Sequence, residues 1–362
     1  MSTAPAPTLP DPIPALASVE RVREGGRERE GLVGLDRNER LSPLPEPVLA
    51  ELRAAIDSDV LTQYPSTDEL YDELASWLEV PRTRLQLTAG SDAAVRALHH
   101  AYVRPGDRTV MLAPSYAMYP VYGRMFAART VEIPFADDLS LDHDALLAAV
   151  ESGPRAVFLA NPNQPTGTLL PQDVLTELIA RAGAAGTLLV VDEAYFPFSG
   201  TTVLPLVAEN PHLVVLRTFS KAWGLAGLRA AVVCAAPEIV GTLFKVRAAY
   251  DLNGAAVLAL RTLLAHPEVA ADYVADVDAG RALLRERLEA LGFVALGAAT
   301  NFQVFRVAPR ADPAELVAAL ERRGFLVKGP FSQPCLADCL RATLGPPALM
   351  ERFADALAES LA

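Results

Sequence analysis

The chain has 362 residues, of which 51% are hydrophobic and 21% charged, enough for a large core and for two lobes. Its formal net charge of -12 disfavours nonspecific nucleic-acid binding, which needs basic surface to neutralise phosphate, while leaving room for a local basic pocket that takes a small anion. No apolar run is long enough for a membrane span and the N-terminus lacks the basic start and compact apolar segment of a signal peptide, so a cytoplasmic location is expected.

The opening residues are Pro-rich and then charged (RVREGGRERE), which predicts an extended arm over 1–34 with little core of its own. Beyond it, helical patterns run over Glu46 to Asp57, Thr67 to Trp77, Asp92 to Tyr102, Asp142 to Val150, Pro171 to Ala184 and Pro237 to Ala248. Between them, strand patterns run over Arg84 to Thr88, Thr109 to Ala113, Thr130 to Pro134, Ala156 to Ala160, Thr187 to Asp192, Leu213 to Arg217 and Ala230 to Ala235. Several of these, such as TLLVVD and LVVLRT, are apolar throughout, as strands buried on both faces of a mainly parallel sheet are. After about Asn253 the pattern changes to a long helix, Val269 to Leu291, then short strands (Gly292 to Leu296, Phe302 to Val307), a helix, two more short strands and a terminal helix. The expected organisation is a large α/β domain over 35–253, with 35–45 free to pack on the other lobe, and a smaller α+β domain over 254–362.

Cys234, Cys335 and Cys339 have no CxxC spacing and the five histidines form no HExxH pattern, so neither structural zinc nor a disulfide framework is expected. Lysine is scarce: Lys221, Lys245 and Lys328 are the three in the chain. Lys245 sits in a helical stretch, where a solvated lysine is the simplest reading. Lys221 follows the apolar run LVVLRTFS and precedes a Gly-rich turn that ends in Arg229, a place where an amine is held beside an anion-binding corner.

Three further segments fall in loops at carboxyl ends of predicted strands, the edge where open α/β sheets bind ligands. In LTAGSDAAV, Gly90, Ser91 and Asp92 open a helix whose N–H groups and dipole suit a phosphate, although an ordinary helix cap explains the same residues. The run from Asn161 to Gly167 is a proline-fixed polar loop, consistent with a plain turn or with amides aimed at a ligand. In LLVVDEAY, Asp192 ends a buried strand with Tyr195 three residues on; a buried carboxylate needs a cationic or protonated partner, whether a structural ion pair or a ring nitrogen.

Together, these segments resemble the fold-type I pyridoxal phosphate (PLP) enzymes, and within them the histidinol-phosphate aminotransferase-like branch of the class I/II aminotransferases, from about Leu35 to the C-terminus. The resemblance implies a mainly parallel seven-stranded sheet and a homodimer with shared active sites. It makes Lys221 the Schiff-base lysine, Asp192 the partner of the ring nitrogen and Tyr195 a donor to the ring's phenolic oxygen. Phosphate contacts fall to Gly90, Ser91, Asp92, Ser220 and Arg229, ring stacking to Tyr116 in APSYAMY, and a phosphate contact across the dimer to Tyr64 in TQYPSTDEL. Arg341 in CLRATLG takes the role of gripping the substrate's anionic group, with Asn38 and Lys328 in the substrate shell.

The sequence also departs from the family pattern. Gln164 stands where asparagine usually donates to the ring oxygen, so either Gln164 or the neighbouring Asn163 serves there. The usual NENP reads Asn38-Glu39-Arg40-Leu41, which puts the charge of Arg40 near the expected substrate entrance, and the arm offers no tyrosine around Pro14 and Ala15. The expected activity is amino transfer between an amino acid or amino-alcohol phosphate and a 2-oxo acid such as 2-oxoglutarate, with histidinol phosphate the named candidate. Decarboxylation, elimination or cyclisation on the same fold is the alternative. A regulator on the borrowed fold is disfavoured by the presence of the lysine, and a nicotinamide dehydrogenase by the lack of a GxGxxG after the early strands.

Overall fold

The computed structural model describes residues 11–20 and 29–361, so much of the expected arm, 1–10 and 21–28, lies outside the described residues. The strands are β1 (Val33–Gly34), β2 (Leu85–Thr88), β3 (Arg108–Ala113), β4 (Arg129–Pro134), β5 (Ala156–Ala160) and β6 (Leu188–Asp192), followed by β7 (Leu213–Thr218) and β8 (Ala231–Cys234). Four more follow in the C-terminal part: β9 (Val294–Leu296), β10 (Phe302–Arg306), β11 (Phe325–Leu326) and β12 (Cys339–Thr343). The helices are α1 (Glu46–Ala55), α2 (Ser58–Thr62), α3 (Asp68–Leu78), α4 (Ser91–Tyr102), α5 (Met118–Met125), α6 (His143–Glu151) and α7 (Gln172–Ala185). They continue with α8 (Phe196–Ser199), α9 (Pro237–Val246), α10 (Gly254–Leu264), α11 (Glu268–Ala290), α12 (Pro313–Arg322) and α13 (Pro347–Ser360).

The main sheet has seven strands in the order β2-β8-β7-β6-β5-β3-β4, parallel except for β8, which runs against both neighbours. Its central strands are buried from end to end. Alternate residues serve opposite layers: Val157, Leu159, Leu189 and Val191 join one apolar cluster, and Phe158, Ala160, Leu188 and Val190 the other. That is the period-two geometry of a strand covered by helices on both faces, and it accounts for the unbroken apolar runs in the sequence.

The C-terminal part forms a three-stranded antiparallel sheet, β12-β10-β9, while β11 pairs in parallel with β1. Residues just beyond the arm are therefore stitched to C-terminal elements: Leu35 N–H donates to Leu326 O at 2.7 Å, and Asn38 N–H to the Thr343 hydroxyl at 3.0 Å. Helix α11 packs on α13, and Gly280 makes that close approach possible, because a Cβ there would run into the Gly345 carbonyl.

Four helices were not expected from the sequence: the short α2 and α8, and the longer α5 and α10. Helix α5 carries Pro120 and Gly123, which lower helix propensity, yet it buries Tyr119, Val121 and Tyr122, and the short 3-10 turn Pro14–Ser18 of the arm packs on it. Helix α10 packs on α1, α2 and α3 with Ala256, Val257, Leu260 and Leu263 buried. Among the described residues no helix is long and apolar enough to cross a membrane.

Candidate active site

The carboxyl ends of β2, β3, β5, β6 and β7 share one edge of the sheet, since these strands run the same way. The loops that leave them bound a cavity of about 820 Å³, lined by Ser91, Tyr116, Gln164, Asp192, Tyr195, Ser220, Lys221 and Arg229. The C-terminal elements close it with Lys328 and Arg341, and the segment after β1 with Asp36, Arg37, Asn38 and Glu39. Residues far apart in the sequence thus converge on one space.

Lys221 is half-buried, and its Nζ donates to the carbonyl of Asn38 at 3.2 Å and to that of Arg37 at 3.4 Å. Lys245 lies exposed on α9, outside this cavity.

Asp192 is 4% exposed and makes no ion pair among the described residues; Tyr119 O–H donates to Oδ2 at 3.1 Å and Ala194 N–H to Oδ1 at 3.1 Å. Burial pushes its carboxyl up to about 6, against the pull of those two donors and of Lys221. Tyr195 is buried, and its phenolic oxygen accepts from Asn38 Nδ2 at 2.8 Å, leaving its own O–H free to donate. Asn38 itself is buried with a φ of 56°, and its Oδ1 finds no partner among the described residues.

At the phosphate-like corner, Gly90 has a φ of 89° and caps α4; a Cβ there would sit 2.5 Å from Arg229 Nη2, so only glycine lets the guanidinium lie against the helix start. Arg229 also reaches the Ser220 hydroxyl at 3.5 Å. Ser91 faces the cavity, whereas the carboxylate of Asp92 accepts from Tyr116 O–H at 3.2 Å and Tyr122 O–H at 2.9 Å, which leaves its backbone as the part aimed at an anion.

Asn163 and Gln164 separate cleanly. The amide of Asn163 is consumed by the Thr166 hydroxyl in its own loop and by the Ser115 hydroxyl and Pro114 O in the loop after β3, while Gln164 lines the cavity.

Arg341 on β12 is 4% exposed, and Nη2 donates to Asp36 O at 2.8 Å, while Nε and Nη1 have no partner among the described residues. Burial lowers its pKa, so an arriving anion meets a cation that has lost most of its hydration. Lys328 is exposed and exchanges backbone hydrogen bonds with Arg341 at 2.9 Å in each direction.

Tyr64 stands apart from the main cavity. It is 76% exposed, stacks on Tyr250 at 4.0 Å and lines a second cavity of about 710 Å³ that shares Arg229 with the first. Arg40 corrects the expectation of a charge at the substrate entrance: its guanidinium donates to Ser42 O, Ala222 O and Val269 O and lies 4.4 Å over the Tyr273 ring. Its sequence position beside Asn38 and Glu39 gave no sign that it turns the other way.

The sequence reading missed Tyr119 and the buried pair of Arg217 and Glu193, whose Nε and Oε2 are 2.7 Å apart. For Tyr119, the spacing of three from Tyr116 is the helical signal that could have marked it.

The profile of the family "Aminotransferase class I and II" matches residues 30–357. Among curated proteins, the chain is 36% identical over 326 residues to "Histidinol-phosphate aminotransferase 1" of Burkholderia lata, covering 88% of this chain and 90% of that one. It is 33% identical over 360 residues to "Histidinol-phosphate aminotransferase" of Roseiflexus castenholzii, covering 96% and 95%. Among solved structures, the histidinol-phosphate aminotransferase of Sinorhizobium meliloti in complex with pyridoxal 5'-phosphate superposes with a TM-score of 0.88 at 25% identity, covering 98% of each chain. The aspartate aminotransferase of Thermus thermophilus with maleate shares the fold, with a TM-score of 0.81 at 22% identity over 97% of this chain and 98% of that one. With a family match across most of its length and relatives at about one residue in three, the chain belongs to the class I and II aminotransferases, which use pyridoxal phosphate on the fold-type I architecture.

Proposed function

We propose that the chain is a histidinol-phosphate aminotransferase, moving an amino group between histidinol phosphate and a 2-oxo acid such as 2-oxoglutarate. The observation that carries this reading is Arg341, buried with two donors unpaired among the described residues, in the same cavity as Lys221 and Asp192. An anionic amino donor satisfies those donors while its amine lies toward Lys221.

The side chains fit the cofactor. Asp192 is a buried carboxylate without an ionic partner, which a protonated ring nitrogen supplies, and Gly90 leaves a cradle at the start of α4 facing Arg229. We assign the phosphate to Gly90, Ser91, the Asp92 backbone, Ser220 and Arg229, the ring face to Tyr116, and the ring oxygen to Tyr195 and Gln164. Asn163 serves by holding the loop that presents Gln164.

When bound, pyridoxal phosphate supplies an aldehyde for the amine and a ring that draws electrons from the bond broken at the donor's α-carbon. Asp192 keeps the ring nitrogen protonated. Lys221 would hold the aldehyde until the donor's amine takes its place, and the Nζ so released would move the proton at the donor's α-carbon. Asn38 orients Tyr195 through the 2.8 Å hydrogen bond. Arg341 and Asn38 hold the substrate's anionic group, with Lys328 at the rim.

In this reading 35–253 is the cofactor-binding lobe and 254–362 the smaller lobe, with 33–38 bridging them by pairing with β11 and β12. The exposed Tyr64 supports a homodimer in which it reaches the cofactor phosphate of the neighbouring subunit. A cytoplasmic site of action suits a small-molecule substrate, and neither nucleic acid nor membrane is a partner.

The test is to supply purified protein with PLP, histidinol phosphate and 2-oxoglutarate and to follow glutamate. Glutamate formed in step with loss of histidinol phosphate is expected. Release of carbon dioxide from an amino acid without glutamate, or amino transfer from other donors only, contradicts the reading.

A further inference from the structure

Tyr119 on α5 reaches Asp192 from a different element and is itself 2% exposed. Its ring meets Tyr116 edge-on, with centroids 5.5 Å apart and planes at 82°, and tilts against Phe158 at 5.9 Å. The phenol has little freedom to leave Oδ2 of Asp192, and burial beside that carboxylate raises its pKa, so it stays a neutral donor. With Ala194 N–H on Oδ1, each carboxylate oxygen receives one donor, which fixes the plane of the group.

Such donors favour the ionised carboxylate. Without the phenol, Asp192 becomes more basic and competes for the proton it is meant to leave on a ring nitrogen.

We infer that Tyr119 is a positioning residue for Asp192, fixing its orientation and holding it ionised so that it pairs with a protonated ring nitrogen rather than taking the proton. This rests on the reading of Asp192 as the partner of that nitrogen.

The experiment uses the full chain loaded with PLP labelled with ¹⁵N in the ring. In Tyr119→Phe the ring packing is kept and the O–H removed. The nitrogen resonance is expected to move from the protonated toward the unprotonated position, and PLP to bind about tenfold more weakly, as for loss of a hydrogen bond to a charged group. Tyr122→Phe removes a nearby buried phenol that donates to Asp92 instead, and is expected to leave the resonance in place. If Tyr119→Phe does not fold, 3,5-difluorotyrosine in place of Tyr119 keeps the shape with a stronger donor and is expected to move the resonance toward the protonated limit. A wild-type resonance and affinity in the Tyr119 variants, with Asp192→Asn shifting the resonance, overturns the role of Tyr119. An unchanged resonance in Asp192→Asn overturns instead the reading of Asp192 on which it rests.

Discussion

Asn163 and Gln164 are neighbours with opposite surroundings: the buried Asn163 amide makes one hydrogen bond within its own loop and two to the loop after β3, while Gln164 lines the cavity. Adjacent amides in one turn thus divide the work, one holding the loop and the other presented to a ligand.

Asn163→Ala is expected to lower stability by about 2–3 kcal/mol, at roughly 1 kcal/mol for each hydrogen bond lost. Gln164→Ala is expected to change stability by less than about 0.5 kcal/mol and to weaken PLP binding about 2- to 10-fold. Urea unfolding and PLP titration of the two variants check the division, which fails if their effects are exchanged.

Asp192 makes the PLP-free protein sensitive to pH in a definite direction. Its carboxyl titrates near 6 in the folded chain against 3.8 ordinarily, so below about 3.8 it is neutral in both states and costs nothing. Between about pH 4 and 6 the unfolded chain gives up its proton first, and folding loses stability on the order of 3 kcal/mol. Asp192→Asn should therefore be more stable than wild type at pH 7 when PLP is absent, with the difference shrinking toward pH 4. Thermal unfolding across that range checks the trend, and a variant no more stable at pH 7 contradicts it.

The ion pair of Arg217 and Glu193 has side chains only 9% and 1% exposed, and Glu193 also accepts from the Thr202 hydroxyl and Val203 N–H. Arg217→Met leaves a buried carboxylate without its cation and is expected to cost about 3–5 kcal/mol. Adding Glu193→Gln should recover part of that loss. A double-mutant cycle by urea unfolding measures the recovery, and strict additivity of the two losses contradicts the coupling.

Gly280 decides a case where propensity and packing oppose one another. In an exposed helix, replacing glycine with alanine gains about 1 kcal/mol. Here the added Cβ meets the Gly345 carbonyl and lies 3.0 Å from Met350 Cγ. Gly280→Ala is expected to destabilise by about 1–3 kcal/mol, and a gain in melting temperature would show that α11 and α13 can move apart freely.

The sheet was legible because strands covered on both faces are apolar throughout, and the site residues that end or closely follow them, Asp192 at the end of β6 and Lys221 past β7, stand out against those runs. Helix α10 was not, because GAAVLALRTLL is apolar around most of its circumference and shows no amphipathic stripe. Nor was Arg40, since a charged residue beside a predicted entrance carries no mark of which way its side chain turns, and its partners, Ala222 and Val269, are distant in sequence. Tyr119 was hidden for a related reason: Pro120 and Gly123 mask the helix that brings its phenol to Asp192.

Everything proposed for this cavity turns on Lys221 as the residue that holds the cofactor. The most direct measurement is the visible absorption of PLP added to Lys221→Ala and Lys245→Ala and followed through gel filtration. The colour bound to wild type is expected to be lost from the Lys221 variant and kept by the Lys245 variant, whose replaced residue lies exposed on α9. Equal behaviour of the two, or colour retained without Lys221, contradicts that role of Lys221.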